Sequence, residues 1–182
     1  MKKYALFSGM LIPVWLFCGV LIAGSLYPGY SHVDQAMSEL GALEAPTHQL
    51  SPIINNFPLG VLFLLFGGAV VSLFSGARLA QFSGLLLMLH GLASISAGLF
   101  ACDPGCNPVE PSPDQVLHNL SGLVMFASLT LANLLWVYLA RKRVGATGFS
   151  WFSLVCLIVS LAVMPLMAAA VESGEAFGLY QR

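Results

Sequence analysis

The chain has 182 residues, of which 58% are hydrophobic and only 8% are charged. A soluble domain carries charge on about a quarter of its residues, so this composition excludes an ordinary water-facing surface and predicts a protein that folds in lipid. The seven lysines and arginines are scattered or lie in one short cluster. This distribution excludes a basic surface large enough to bind nucleic acid.

Five stretches with few or no charges are long enough to cross a bilayer, which takes roughly 20 residues of helix. Trimmed at proline, glycine and polar residues, they predict spans at about Tyr4–Tyr27, Asn56–Ser75, Leu79–Phe100, Val116–Ala140 and Phe149–Val171. The sequence therefore predicts an all-α, polytopic transmembrane helical bundle in a single domain, residues 1–182. The first stretch also has features of a secretory signal, but the length of its apolar run favours a retained helix.

If the five spans alternate in direction across the membrane, most basic residues fall on one side of it and all acidic residues on the other. Lys2, Lys3, Arg78 and the cluster 141–143 fall on one side, whereas all eight acidic residues fall on the other side together with Arg182. Basic residues are enriched in cytoplasmic loops. The pattern predicts a multi-pass protein of the inner (cytoplasmic) cell membrane, with a cytoplasmic N-terminus and acidic loops on the outer face. The lipid bilayer is then its first partner.

The first outer loop contains a short helical pattern. Val33, Met37 and Leu40 recur at helical spacing, and Ser31 with Asp34 forms a start that resembles a capping box. We expect a short amphipathic helix at the membrane interface, or a helix that closes the outer end of the bundle.

Two further local patterns concern the third and fourth spans. Ser112 is suited to cap the fourth span, with Gln115 completing a capping box. Gly91, Ser94 and Gly98 lie on one face of the third span, which predicts the close approach of another helix.

Three segments carry a family resemblance: YSHVDQAMSELG at 30–41, FACDPGCNP at 100–108 and LHNLSG at 117–122. Together they resemble a bacterial and archaeal membrane family catalogued as domain of unknown function 998. The resemblance implies a six-helix bundle without an assigned activity, so it supplies no catalytic residues. Family members continue past a Gly-Leu-x-Gln-Arg-like stretch into a sixth helix, whereas this sequence stops at Gly178–Arg182. Either a sixth helix follows Arg182, or this member ends earlier.

Cys102 and Cys106 enclose a turn-forming Asp-Pro-Gly segment. On an oxidising outer face this spacing favours a disulfide. The alternative is a metal site, because thiolate and imidazole ligands suit zinc, and a bound zinc ion could activate water for hydrolysis near the head groups. No other cofactor is indicated. The candidate metal ligands outside the cysteine pair are His32, His48, His118 and Asp103.

Two polar residues lie inside the spans. His90 is near the middle of the third span, where an ionisable residue is a candidate functional group. The alternative is a neutral histidine that is hydrogen-bonded to a serine, to a backbone carbonyl or to an amide such as Asn133.

Asp114, His118 and Ser121 share one face of the fourth span. Acid, base and hydroxyl in this order resemble a nucleophilic triad, although residues on one straight face seldom converge on a single substrate atom. His32 and Asp34 in the first loop are further catalytic candidates.

Three functions follow as hypotheses. The favoured one is a structural or accessory subunit of a membrane assembly, because the spans contain little polar chemistry and small-residue faces such as that of the third span suit contacts with other helices. The alternative is an outer-face hydrolase, metal-dependent or not, that acts on a lipid or amphiphile through His32, His118 and nearby acids. The third is a small-molecule transporter, which predicts a cavity around His90.

Overall fold

The computed structural model describes residues 2–182, with side chains described from Leu6 onward. Every regular element in that range is helical. The five long helices are α1 (Lys2–Ser25), α2 (Phe57–Leu73), α3 (Arg78–Leu99), α4 (Pro113–Leu139) and α5 (Thr147–Ser173), followed by the short α6 (Phe177–Gln181). All five long helices are long and apolar enough to cross a membrane. The predicted class and number of spans are confirmed.

Two π-helical turns lengthen the second and fourth spans. Pro52–Asn56 leads into α2, and Ala140–Val144 continues α4. The predicted spans began later than the observed ones because trimming removed proline and polar residues, which the first turn of a helix accommodates.

The long helices pack mainly in chain order. α2 with α3 and α3 with α4 form the most extensive contacts, followed by α1 with α2 and α4 with α5. α1 and α5 are the two ends of this series, and both line a cavity that lies between them.

The contact between α2 and α3 depends on glycines that face one another. A Cβ added at Gly91 would lie 2.6 Å from the carbonyl oxygen of Gly60, and a Cβ added at Gly84 would lie 2.7 Å from that of Gly67. Real Cβ atoms do not come so close to backbone. Glycine therefore allows the two backbones to approach at two levels of the membrane.

Ser94 and Gly98 extend this contact toward the start of α2. The Ser94 hydroxyl donates to the carbonyl oxygen of Asn56 at 2.9 Å, and a Cβ at Gly98 would lie 2.7 Å from the Asn56 Cβ. The small-residue face predicted on the third span is confirmed, and its partner is α2 of the same chain.

The loops form two chemically different ends. The Leu43 N–H donates to the Cys102 carbonyl at 2.8 Å, and the Leu179 N–H donates to the Val33 carbonyl at 2.8 Å. The loop after α1, the loop after α3 and the α6 segment therefore meet at one end of the bundle. These segments and the adjoining helix ends contain all eight acidic residues, so we call this the acidic end.

The opposite end carries Arg78 and the cluster 141–143. Here Ala77 and Ala80 pack against Leu139, which brings the short connections before α3 and after α4 together. We call this the basic end. The separation of charge is therefore seen in the fold, while the membrane side that each end faces stays a prediction.

The helix in the first loop is shorter than predicted. It is a 3₁₀ helix at Met37–Gly41, preceded by a turn in which the Asp34 N–H donates to Ser31 Oγ at 3.1 Å. Leu40 is fully buried and packs with Val20 of α1. The segment therefore closes the end of the bundle, which was the alternative interpretation of the pattern.

Candidate functional site

A half-open cavity of about 1410 Å³ lies between the helices, with all five long helices contributing to its walls. It extends from Asp34 and Glu39 at the acidic end, past Phe63 and His90 at mid-depth, to Trp136 near the basic end. Its lining is mostly apolar, with a few polar side chains. A large apolar pocket with a small number of polar groups is the usual form of a ligand site, so we take this cavity as the candidate site.

His90 projects from α3 into the wall of the cavity. Its Nδ1 lies 3.0 Å from the Met125 carbonyl oxygen of α4, and its ring centroid is 4.1 Å from that of Phe63. Because a carbonyl oxygen only accepts, Nδ1 carries the hydrogen in this contact, and in the neutral form of the ring Nε2 is an acceptor. Asn133 also lines the cavity, but the hydrogen bond of His90 goes to the backbone of Met125.

His118 lines the cavity closer to the acidic end. Its Nδ1 lies 2.8 Å from the Phe100 carbonyl and 3.1 Å from the Ala97 carbonyl. These are carbonyls at the end of α3, which have no partner within their own helix. The imidazole of His118 thus caps α3 from the neighbouring α4.

The predicted triad is not assembled by these contacts. The hydroxyl of Ser121 lies 2.8 Å from both the Ser96 hydroxyl and the Leu117 carbonyl, and Asp114 is exposed. His118 makes its hydrogen bonds to α3. A catalytic role for these three residues stays a prediction that the arrangement does not favour.

The structure also places asparagines at the site that the sequence reasoning missed. Asn55, in the π-helical turn before α2, is 6% exposed and lines the cavity. Its Oδ1 is the buried side-chain atom without a hydrogen-bond partner among the described residues, and a Cβ at Gly19 of α1 would clash with it. The pair Asn55-Asn56 at the edge of an apolar run is the signal that could have found it, because polar residues entering a span tend to have a function.

Cys102 and Cys106 lie at disulfide distance, with their Cα atoms 5.0 Å apart, which confirms the predicted pairing. The loop that they close is fixed to α4: Asp103 Oδ2 accepts from the Ser112 N–H at 2.9 Å, and the Asp103 N–H donates to Gln115 Oε1 at 2.8 Å. Ser112 caps α4 as predicted, its Oγ accepting from the Gln115 N–H at 3.1 Å. The predicted capping-box role of the Gln115 side chain is wrong, because that side chain bonds Asp103 instead.

The candidate metal ligands are dispersed. Among the residues that the structure describes, no three His, Cys, Asp or Glu form a group that could hold a metal ion. His48 Nδ1 lies 3.0 Å from the Gly41 carbonyl, and His32 packs edge-on against Tyr30 with ring centroids 5.0 Å apart. Asp103 and His118 are hydrogen-bonded as described above.

The α6 segment is joined to the first loop across the acidic end of the cavity. Arg182 donates through Nη1 to the His32 carbonyl and through Nη2 to the Tyr30 hydroxyl at 2.6 Å. Gln181 Oε1 accepts from the Met37 N–H at 2.6 Å. Burial raises the pKa of Tyr30, and the neighbouring Arg182 guanidinium opposes that rise. Arg182, the one basic residue that departed from the charge pattern, therefore binds the first loop.

Comparison with known families bears on the same segments. A sequence model of the family described as "Protein of unknown function (DUF998)" matches residues 10–182. The chain belongs to the DUF998 family. Comparison with curated proteins and with solved structures gave no match. In this DUF998 protein the three segments that carried the resemblance meet at the acidic end, since Cys102 Sγ lies 3.6 Å from the Ser38 carbonyl and His118 binds Phe100.

Two carboxylates at the acidic end have lowered pKa values, which predicts that the stability of this end depends on pH. The Ala176 N–H, and then Ser31, hold the pKa of Asp34 below its usual value, and the Ser112 N–H does the same for Asp103. Each lowered pKa stabilises the fold above the pKa of the unfolded chain, about 3.9, and this contribution is lost as the pH falls through the lower folded value.

We therefore expect the stability of the protein in detergent to decline as the pH falls below about 4. Unfolding curves measured across this range should show a smaller decline for Asp103→Asn, and for Asp34→Asn, than for the wild type. A variant whose curve runs parallel to that of the wild type would show that its carboxylate has no such role.

Proposed function

We propose that this DUF998 protein binds an amphiphile of the bilayer, such as a lipid, in the cavity between α1 and α5. The observation that carries the proposal is the cavity itself, about 1410 Å³ in volume. Drug-sized ligands occupy pockets of roughly 300–1000 Å³, so a cavity of this size suits a molecule with a long apolar chain.

The distribution of polar groups suggests how such a molecule would lie. Asp34, Glu39, Asn119 and Gln181 line the cavity at its acidic end, whereas the wall around Phe63 is largely apolar. A polar head under the first loop and an apolar tail directed toward His90 would match both regions. If the basic end faces the cytoplasm, as basic loop residues predict, the head group belongs to the outer leaflet.

The two ends of the helix series offer a route to the cavity. Ile12 and Leu16 of α1 and Phe152 and Cys156 of α5 line it on opposite sides. α1 and α5 do not pack extensively against each other. An amphiphile that enters from the bilayer between α1 and α5 would not need to cross a polar loop.

The other hypotheses gain less from the structure. The subunit hypothesis used the small-residue face of the third span, and that face packs against α2 of the same chain, as Gly91 and Gly60 show. Binding of an amphiphile is the step that the hydrolase and transporter hypotheses share. The cavity supports that step without any further chemical assumption.

Gly122 offers a direct test. It lines the cavity, and a Cβ added there meets nothing within 4 Å, so Gly122→Leu adds side-chain volume at the cavity wall without a clash at Cβ. The full chain, purified in mild detergent, should retain co-purified lipid that mass spectrometry detects and should bind pyrene-labelled phosphatidylcholine. We expect Gly122→Leu to bind that probe about tenfold more weakly. Crowding of the bound lipid by the added side chain costs about 1.4 kcal/mol, which corresponds to a tenfold change in Kd.

Gly68→Leu is the matched control. Gly68 also has open space for a Cβ, but it lies on α2 outside the cavity lining. Both changes replace a helical glycine by leucine, so any general effect on helix stability is shared. Equal binding of the probe by the two variants would overturn the proposal.

A further inference from the structure

A second, smaller groove lies at the basic end, separate from the cavity. It has a volume of about 710 Å³ and is formed where α4 ends and α5 begins. Arg141 and Lys142, both exposed, line it, whereas the neighbouring Arg143 does not. They are carried by the π-helical turn Ala140–Val144.

Within the part of the chain that the structure describes, these two basic residues have no acidic neighbour. All eight acidic residues of this sequence are at the acidic end or the helix ends beside it, so none of the described carboxylates is placed to neutralise Arg141 or Lys142. An unpaired pair of cations at a membrane surface attracts anionic groups. The missing partner is therefore to be sought outside the chain.

The rest of the groove is suited to a lipid. Leu134 and Leu154 line its deeper part, roughly 10 Å into the span from Arg141 at 1.5 Å per residue. Tyr138 and Trp151 line it as well and are largely exposed, as is typical of aromatic residues at the level of the head groups. The groove thus offers cations for a head group and an apolar path for an acyl chain.

We propose that this groove binds an anionic phospholipid, with its phosphate against Arg141 and Lys142 and one acyl chain along Leu134 and Leu154. A zwitterionic lipid has the same chains but no net charge for the two cations to bind. Basic pockets between spans on the cytoplasmic side are a recurring form of site for anionic lipids. This site is independent of the amphiphile proposed for the cavity.

The test compares dioleoylphosphatidylglycerol with dioleoylphosphatidylcholine, which has the same acyl chains, in titrations of the purified full chain followed by native mass spectrometry. We expect tighter binding of phosphatidylglycerol. Each basic residue near an anionic lipid contributes about fivefold in affinity. The double variant Arg141→Gln/Lys142→Gln should therefore bind phosphatidylglycerol about 25-fold more weakly and lose the preference over phosphatidylcholine.

Two further variants separate the groove from general charge. Arg143→Gln removes the same charge from the same turn outside the lining and should weaken binding by less than the roughly fivefold expected of each lining residue, because Arg143 is not placed to contact the phosphate directly. Leu154→Trp narrows the groove without changing its charge and should weaken binding of phosphatidylglycerol. Equal loss in Arg143→Gln, no loss in Leu154→Trp, or no preference for phosphatidylglycerol in the wild type would each overturn the proposal.

A last arm uses inorganic phosphate, which has the charge of the head group but no acyl chain. Inorganic phosphate should neither bind at the lipid concentrations used nor displace phosphatidylglycerol. Binding of inorganic phosphate as tight as that of the lipid would mean that the groove is an anion site, and the lipid proposal would be wrong.

Discussion

Replacing Gly91 by alanine is expected to lower the free energy of unfolding by about 2–3 kcal/mol. The added Cβ would lie 2.6 Å from the Gly60 carbonyl oxygen and 3.1 Å from the Phe63 Cβ. The carbonyl belongs to a helix backbone and cannot rotate away, so α2 and α3 would have to separate along the most extensive contact of the bundle. Unfolding in mixed micelles, followed by circular dichroism, measures the loss.

Gly68→Ala provides the comparison for that experiment. Gly68 lies on α2 with nothing within 4 Å of an added Cβ, and alanine is favoured over glycine in a helix by about 1 kcal/mol. We expect this variant to be as stable as the wild type or more so. If Gly91→Ala and Gly68→Ala have the same free energy of unfolding, the close contact between α2 and α3 does not determine stability.

Leu40→Ala is expected to destabilise the acidic end by about 3 kcal/mol, a typical cost for leucine deletion in a packed core. Leu40 is fully buried and packs with Val20 and Ala23 of α1. Since this cluster holds the first loop over the cavity, limited proteolysis should also cut the loop faster in the variant than in the wild type.

Leu43 supplies the matched control for Leu40 three positions later in the same loop. Its side chain is 38% exposed, so Leu43→Ala removes the same atoms from a site that is partly in contact with solvent. We expect a loss of less than about 1 kcal/mol, in proportion to the smaller buried area. Equal protease sensitivity of the two variants would show that burial of Leu40 does not hold the loop.

These two experiments also bear on the proposed binding site. Gly91 is on the face of α3 that sets the distance to α2, one residue after His90, and Leu40 supports the segment that contains Glu39. If the cavity is the binding site, both variants should bind pyrene-labelled phosphatidylcholine more weakly than their controls. Gly122→Leu should weaken binding while remaining as stable as Gly68→Leu, which distinguishes blocking of the cavity from loss of the contacts that form it.

The sequence by itself determined the class, the number of spans and the separation of charge. These depend on the length of apolar runs and on the positions of Arg78, the cluster 141–143 and the acids, which are properties of single segments in a bilayer. It also predicted the cap at Ser112 and favoured the pairing of Cys102 with Cys106, because helix caps and short loops involve residues that are close in the chain.

Only the tertiary structure decided where the polar groups go. His90 binds the Met125 carbonyl, His118 caps α3, and Gln115 binds Asp103 instead of completing its own capping box. Each of these contacts joins two different elements. Their geometry depends on how those elements pack, which local patterns do not specify.

The cavity has the same physical origin. All five long helices line it, and α1 and α5 both contribute to its wall without forming an extensive contact with each other. Apolar composition along each helix is the same whether its side chains face lipid, protein or a cavity. The sequence therefore determined a membrane bundle with a polar end, and packing between helices decided that a half-open cavity lies between α1 and α5.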